Sequence, residues 1–273
     1  MPTVQERDRE ALQDLGLLSL LRHRGLWVGM LISYLIFFGL WQASSLVMGN
    51  FLMPSPGETF GSIGSILSRW SLARHVLITF YRTVAGVFIS ALVGLFIVLL
   101  ARYFSPIRVF FLSLVYPVVR AIPVVSVALL AVVWFKLGDG SVMFVVLIAV
   151  LPIYLIGLWE GLKVLDASLV EMARAISPRE GLIFRKLIFP MLIPCLFSST
   201  KLGFSVAFKL ALVGEVLAAV DGMGYMLQHA LQEYRTNQVF AWTFIVIAFV
   251  IFFDYYLFDW AERRWLYKWE SEF

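Results

Sequence analysis

Residues 171–194 read EMARAISPREGLIFRKLIFPMLIP, a polar stretch that turns apolar and lies between long hydrophobic segments. Two helix-start patterns meet here. Ser168-Leu-Val-Glu171 and Ser177-Pro178-Arg179-Glu180 each place a serine three residues ahead of a glutamate. That is a capping box, in which the two residues satisfy each other's free backbone N–H groups. Proline at the first helical position loses no bond, because that N–H has no partner in a helix anyway. The spacing predicts two short amphipathic helices joined by a bend, held outside a membrane and suited to docking on a soluble partner. Leu169, Met172, Ala173 and Ile176 fall on one face of the first helix, at the i, i+3, i+4, i+7 spacing of an apolar stripe. Outside a membrane that face needs cover, either from a groove in the partner or from the chain's own spans. Arg179 and Arg185 flank the bend. They suit acidic groups on a partner or lipid headgroups equally well.

The surrounding composition requires a membrane. The 273 residues are 61% hydrophobic and only 15% charged, where a soluble domain carries about 25% charged residues, and the mean hydropathy is +0.87. A helix needs about 20 apolar residues to cross roughly 30 Å of hydrocarbon. Six segments qualify: 26–48, 83–101, 109–135, 141–159, 191–219 and 238–260. The expected fold is an all-α polytopic membrane protein. A cytoplasmic segment, 1–25, precedes a transmembrane domain at 26–262, and a tail, 263–273, follows. Segment 1–25 mixes acidic and basic residues and has no small-residue cleavage site, so it reads as a short amphipathic helix and not as a signal peptide. Residues 54–57 read as a turn and 58–80 as a short interfacial helix.

Lys and Arg set the orientation. With the N-terminus inside, the inner segments hold Arg7, Arg9, Arg22, Arg24, Arg102, Arg108, Lys163, Arg174, Arg179, Arg185, Lys186, Arg263, Arg264 and Lys268. The outer segments hold only Arg69, Arg74, Lys136 and Arg235. Both termini and the 163–190 loop are therefore expected in the cytoplasm.

Charges within spans are costly and are functional candidates by default. Arg120 lies between Pro117 and Pro123, where a proline frees backbone carbonyls and bends a helix that lines a cavity. Two readings stand for Arg120: it faces a translocation path and attracts an anion, or it pairs with Glu215. Lys209 and Glu215 read as path residues, or as interhelical or intersubunit pairs. Lys201 is expected to snorkel to the interface, and Asp254 and Asp259 to pair with the nearby Arg263 and Arg264. The tryptophans gather near span ends as an aromatic belt. Gly157-x-x-x-Gly161 is a candidate close helix contact.

Other chemistries find little support. The single cysteine, Cys195, allows no internal disulfide and reads as a packed residue. No metal-ligand spacing joins His23, His75 and His229. No nucleophile–base constellation appears, so no catalytic residue is expected. No basic stripe with interleaved aromatics suggests nucleic acid. The dipeptide Gly-Lys is absent, so the chain has no phosphate-binding P-loop of its own.

The 171–194 stretch also resembles the EAA loop of the membrane subunits of bacterial ABC importers. The resemblance lies in Glu171-Met172-Ala173, then Ser177, then Leu187-Ile188-Phe189-Pro190. Ser177 replaces the family's usual glycine and Met172 its middle alanine. Further matching segments run in order: 52–56, 79–86, Pro117 with 120–123, 133–138, 161–166, 214–216 and 222–225. Together they are similar to the taurine, alkanesulfonate and nitrate type of permease. The resemblance implies a bacterial cytoplasmic-membrane permease that binds no cofactor itself. It implies ATP and Mg on two separate ATP-binding cassette subunits, an extracytoplasmic solute-binding protein, and a second permease copy. Leu169, Glu171, Met172, Ala173, Ile176, Ser177, Pro178, Arg179 and Pro190 would couple to the ATPase. Arg120, Pro123, Lys209 and Glu215 would line the path. A facilitator that works without ATP, or a scaffold or sensor that recruits a cytoplasmic partner, needs only one of the two features, the polar spans or the loop.

Overall fold

The computed structural model describes residues 28–164, 167–176 and 179–270. The amphipathic helix expected within 1–25 and the last tail residues lie outside that range, as do Trp27, Ser177 and Pro178. Among the described residues all regular structure is helical. This is what a bilayer demands, since each backbone N–H and C=O must find its partner within the chain. The chain divides into two units, residues 1–61 and 62–273.

In the first unit, α1 (Val28–Met48) is long and apolar enough to cross a membrane. Most of its side chains are exposed, but Trp41 is buried and donates its indole N–H to the Pro54 carbonyl at 3.0 Å. The start of α2 (Pro56–Ser68) corrects the reading of 54–57 as a plain turn. The Ser55 N–H donates to the Glu58 carboxylate at 3.2 Å, and the Glu58 N–H donates to Ser55 Oγ at 3.3 Å. This is a complete capping box with proline at the first helical position.

The second unit is built on three long helices, α3 (Trp70–Tyr103), α6 (Asp139–Val164) and α8 (Glu180–Ala218). Helix α3 starts well before residue 83, so residues 70–80 continue into the second span as one helix and do not form a separate interfacial helix. Small residues let the three backbones approach, since lipid gives apolar side chains no reason to prefer protein. Gly86 abuts Val146, Gly94 abuts Tyr154, and Gly203 abuts Val150. Gly157 and Gly161 face Ser199 and the half-buried Cys195 of α8 so closely that an added Cβ would lie 2.2 and 2.5 Å from their Oγ and Sγ. Val98, Val146, Val150, Leu155, Leu158, Ala207 and Ala211 fill the space between, and the Tyr154 hydroxyl donates to Thr200 Oγ1 at 3.0 Å.

The third expected span is broken. Helix α4 (Ser105–Ala121) and α5 (Val124–Phe135) meet at 95°. Ile122 is extended with ψ 126°, as a residue preceding proline prefers, and Pro123 heads α5. Among the described residues, five helices are therefore long and apolar enough to cross a membrane, or six with this bent pair counted as one. After α6 come α7 (Ala167–Ile176), α9 (Met223–Gln232) and α10 (Thr236–Arg264). Wider π-helical turns interrupt α4 at Val109–Val115, α8 at Phe184–Ile188 and α10 at Phe252–Phe258.

Two further expectations need correction. Trp41, expected in the aromatic belt, is packed inside its unit, whereas Trp70, Trp134 and Trp260 are exposed as a belt requires. Lys201 does not snorkel freely. It donates to Asp259 at 2.8 Å and to Glu262 at 2.5 Å, tying α8 to α10. Asp259 thus pairs across helices and not with Arg263 or Arg264, and one carboxylate oxygen of Asp254 is buried with no hydrogen-bond partner among the described residues.

Candidate solute cavity and coupling loop

A buried polar cluster holds one end of the second unit together. Arg82, on α3, is 1% exposed. Its Nε donates to Asp139 at the start of α6 at 2.7 Å. One terminal nitrogen donates to Glu215 of α8 at 3.0 Å and to the Asp221 carbonyl at 2.8 Å, and the other meets the Asp221 carboxylate. The second oxygen of Glu215 accepts from Thr79 Oγ1 at 2.8 Å and from the Gly224 N–H at 2.9 Å. His75 accepts from the Gly222 N–H at 3.0 Å. A planar guanidinium with five fixed donors suits such multiple bonding, where an ammonium would not.

Glycine is required twice facing this cluster, at the turn residue Gly222 and at Gly224 in the first turn of α9. Gly222 has φ +100°, a region that residues with a Cβ rarely enter. A Cβ on Gly224 would lie 2.4 Å from the Leu212 carbonyl.

These contacts correct one site expectation. Glu215 is fully buried and pairs with Arg82, not with Arg120. Sequence reading gave no site role to Arg82, Thr79, His75, Asp139 or Asp221, although residues 79–86 counted towards the family resemblance. The signal for Arg82 was present, since it sits inside an apolar run (VLITFY before it, TVAGVFIS after), which makes it a charge within a span. Lys209 is exposed on α8.

Arg120 lies elsewhere, in the last turn of α4 just before the break. It donates to the Tyr116 hydroxyl one turn earlier at 3.3 Å. Both line a cavity of about 420 Å³ in the crook between α4 and α5, backed by α6 and Leu210 of α8, a volume within the range of small-molecule sites. Val145, Ile148, Ala149, Pro152, Ile153 and Ile156 form the α6 wall. Pro123 shapes the cavity by making the bend but is not among its lining residues.

The loop residues separate into two groups. On α7, Leu169, Met172 and Ile176 are exposed, Ile176 by 79%, and Glu171 is exposed beside them. Ala173 instead packs against the core, and Val170 is buried. The face is thus apolar and largely uncovered. Helix α7 begins at Ala167, so Ser168 lies inside the helix and not ahead of it. The next helix begins at Glu180, and the exposed, extended Arg179 stands in the capping place expected of Ser177. Arg174 Nε donates to Glu180 at 2.7 Å across the bend, and this bond holds the Arg174 guanidinium above its ordinary value. Pro190 is half-buried in α8 directly after the π turn. A proline ring clashes with the carbonyl four residues back in an α-helix; here that residue, Lys186, sits in the wider turn.

Among the described residues no group of three or more His, Cys, Asp or Glu is placed to hold a metal ion.

Comparison with known proteins adds an independent line. The family model described as "Binding-protein-dependent transport system inner membrane component" matches residues 95–266. A Bacillus subtilis protein named SsuC for aliphatic sulfonates transport is 28% identical over 223 residues, covering 81% of this chain and 80% of that protein. The riboflavin transport system permease protein RibX of Chloroflexus aurantiacus is 29% identical over 247 residues, covering 89% and 91%. A Brucella abortus protein named as a probable ABC transporter permease is 24% identical over 244 residues, covering 88% and 95%.

Proposed function

The chain belongs to the family of binding-protein-dependent transport system inner membrane components, and from this premise we propose that it is the permease subunit of an ATP-driven importer for a small anionic solute. It is a multi-pass membrane protein of a transport family. The finer reading is that a separate ATPase docks on the 163–190 loop and that its closure switches a solute path between inward- and outward-open states. Differential affinity of the ATPase for the two states is what drives such a switch.

The observation that carries this reading is the face of α7. Leu169, Met172 and Ile176 are exposed in a loop whose charges, Glu171, Arg174 and Arg179, keep it out of the hydrocarbon. An uncovered apolar stripe rimmed by charge marks a protein contact. With this loop in the cytoplasm, both termini lie there too. The partners are two ATPase subunits, a second permease copy and an extracytoplasmic solute-binding protein. Arg120 supplies the positive charge in the cavity and is the basis for an anionic solute. One relative is named for sulfonates and another for riboflavin, so the relatives' names do not choose the solute.

The test is affinity purification of the tagged chain in mild detergent from its native membrane. A stoichiometric ATPase subunit, lost on Leu169→Asp while the chain still inserts, is the expected result. A chain that purifies alone, or with a partner that is no ATPase, points to a facilitator or a scaffold instead.

A further inference from the structure

We propose that a slot between α3, α8 and α10 holds one acyl chain of a membrane lipid, with the headgroup left outside it beside Lys201, Asp259 and Glu262.

The slot has a volume of about 400 Å³ and shares no lining residue with the cavity of Arg120. Its α3 wall is one helical face that runs from Phe80 to Leu95, a length of about 22 Å at 1.5 Å per residue. Spread over that length, the volume corresponds to a slot about 4 Å wide. An α-helix with its side chains is about 10–12 Å across and cannot enter it. A single polymethylene chain can. The α10 wall depends on the π turn at Phe252–Phe258. A turn of that width brings residues five apart onto one face. Phe253 and Phe258 both line the slot, and both meet the Phe204 ring of α8, at 5.2 and 5.4 Å between ring centres.

The wall chemistry excludes a polar occupant. Two side-chain hydroxyls line the slot, and no charged group does. The Tyr154 hydroxyl donates to Thr200 Oγ1 at 3.0 Å, and Thr200 in turn donates to the Leu196 carbonyl at 2.7 Å. Both protons are committed, so a carboxylate, phosphate or sugar hydroxyl would lose its water there and gain no donor. An empty slot is also unfavourable, because its walls forfeit dispersion contacts.

The surroundings identify the occupant. All three walls belong to helices long and apolar enough to cross a membrane. The slot opens along a lip of exposed Val84, Phe88, Leu92 and Leu257. Where this chain packs helix on helix it uses glycine, at Gly86, Gly94, Gly157 and Gly203, as helix contacts in a bilayer do. The lip is bulky throughout, which suits lipid tails and not another helix. Charge marks one end. Lys201 follows the lining residue Thr200, Asp259 follows Phe258, and the two bond at 2.8 Å. This is the Leu95 end, since Tyr154 meets both Gly94 and Thr200. Such a charged cluster belongs near the membrane surface. A headgroup can stay there in polar surroundings while its tail runs along α3 toward Phe80.

The test uses the full chain in nanodiscs made with a phosphatidylcholine that carries a diazirine in the middle of one tail. After irradiation, labelled residues are located by mass spectrometry. Labelling at Ala91, Leu95 and Leu196 should exceed that at Leu35 and Ile36, exposed residues of α1, at least fivefold. Ala91 is the smallest side chain on the wall, and Ala91→Phe should remove that excess while α1 labelling stays within twofold. Ala91→Leu should cut the excess about threefold, and it decides the matter if melting shows that the phenylalanine chain does not fold. Labelling no stronger than on α1, which a plain annular lipid or a second copy covering the slot would give, overturns the proposal. So does an excess that both substitutions leave unchanged. Loss of the ATPase contact leaves this result untouched, so the two proposals fail separately.

Discussion

Arg82 and Glu215 lie 133 residues apart in the chain and meet in a buried 3.0 Å ion pair. Glu215 has no solvent exposure, and the same guanidinium also reaches Asp139 and Asp221. One side chain thus joins α3, α6, α8 and the turn that leads into α9. Removing one partner of a buried pair leaves the other uncompensated, at a cost of about 3–5 kcal/mol. We expect Arg82→Met and Glu215→Leu each to lower thermal stability in detergent by that order, and the double variant to recover part of the loss. Arg82→Lys should rescue little, because one ammonium cannot serve two helices and a turn. Parent-like melting of Arg82→Met would sink the structural assignment.

The contact between Gly157 and Ser199 admits a cleaner test by paired substitution. A Cβ at Gly157 would lie 2.2 Å from Ser199 Oγ, and overpacking of this kind costs about 1–3 kcal/mol. Gly157→Ala should therefore destabilise the α6–α8 contact. Adding Ser199→Ala removes the clashing oxygen and should restore most of the stability. The check is a double-mutant cycle on melting temperature, and simple additivity would mean that the helices do not meet here.

Lys201 bridges α8 to Asp259 and Glu262 and is about one-third exposed. Partly solvated pairs contribute about 0–1 kcal/mol. Lys201→Gln should consequently lower melting temperature slightly. Lys201→Glu should do more, because it sets three carboxylates together, and Asp259→Lys in the same chain should offset it. Comparing the three variants in one detergent decides the point.

Arg120 is expected to act on transport and not on stability. Its bond to Tyr116 is exposed and lies within one helix. Arg120→Glu should leave insertion and melting unchanged while anion uptake by the assembled complex falls at least tenfold. Unchanged uptake and unchanged basal ATPase activity would remove Arg120 from the path.

A good part of this molecule was legible in its sequence. The apolar runs predicted membrane helices, because a segment in hydrocarbon has few other ways to satisfy its backbone. Gly157 and Gly161 predicted a close contact through their missing side chains. The apolar stripe of α7 was readable from its spacing, although Ala173 turned out to face the core. These are local properties: propensity, periodicity and the transfer of side chains out of water act over one or two helical turns.

What the tertiary structure decided was pairing. Four carboxylates, Glu215, Asp221, Asp139 and Asp259, found cations on other segments, and Arg120, for which pairing with Glu215 was one of two readings, found a tyrosine one turn away. The same Ser-Pro-x-Glu pattern made a capping box at 55–58, while the helix at the second copy began only at Glu180. Pro123 signalled a bend, but its 95° angle and the cavity inside it depend on α6 and α8 behind it. The reason is the range of the forces involved. Hydrophobic burial and capping depend on neighbours in sequence, whereas a buried charge takes the partner that folding brings within about 3 Å.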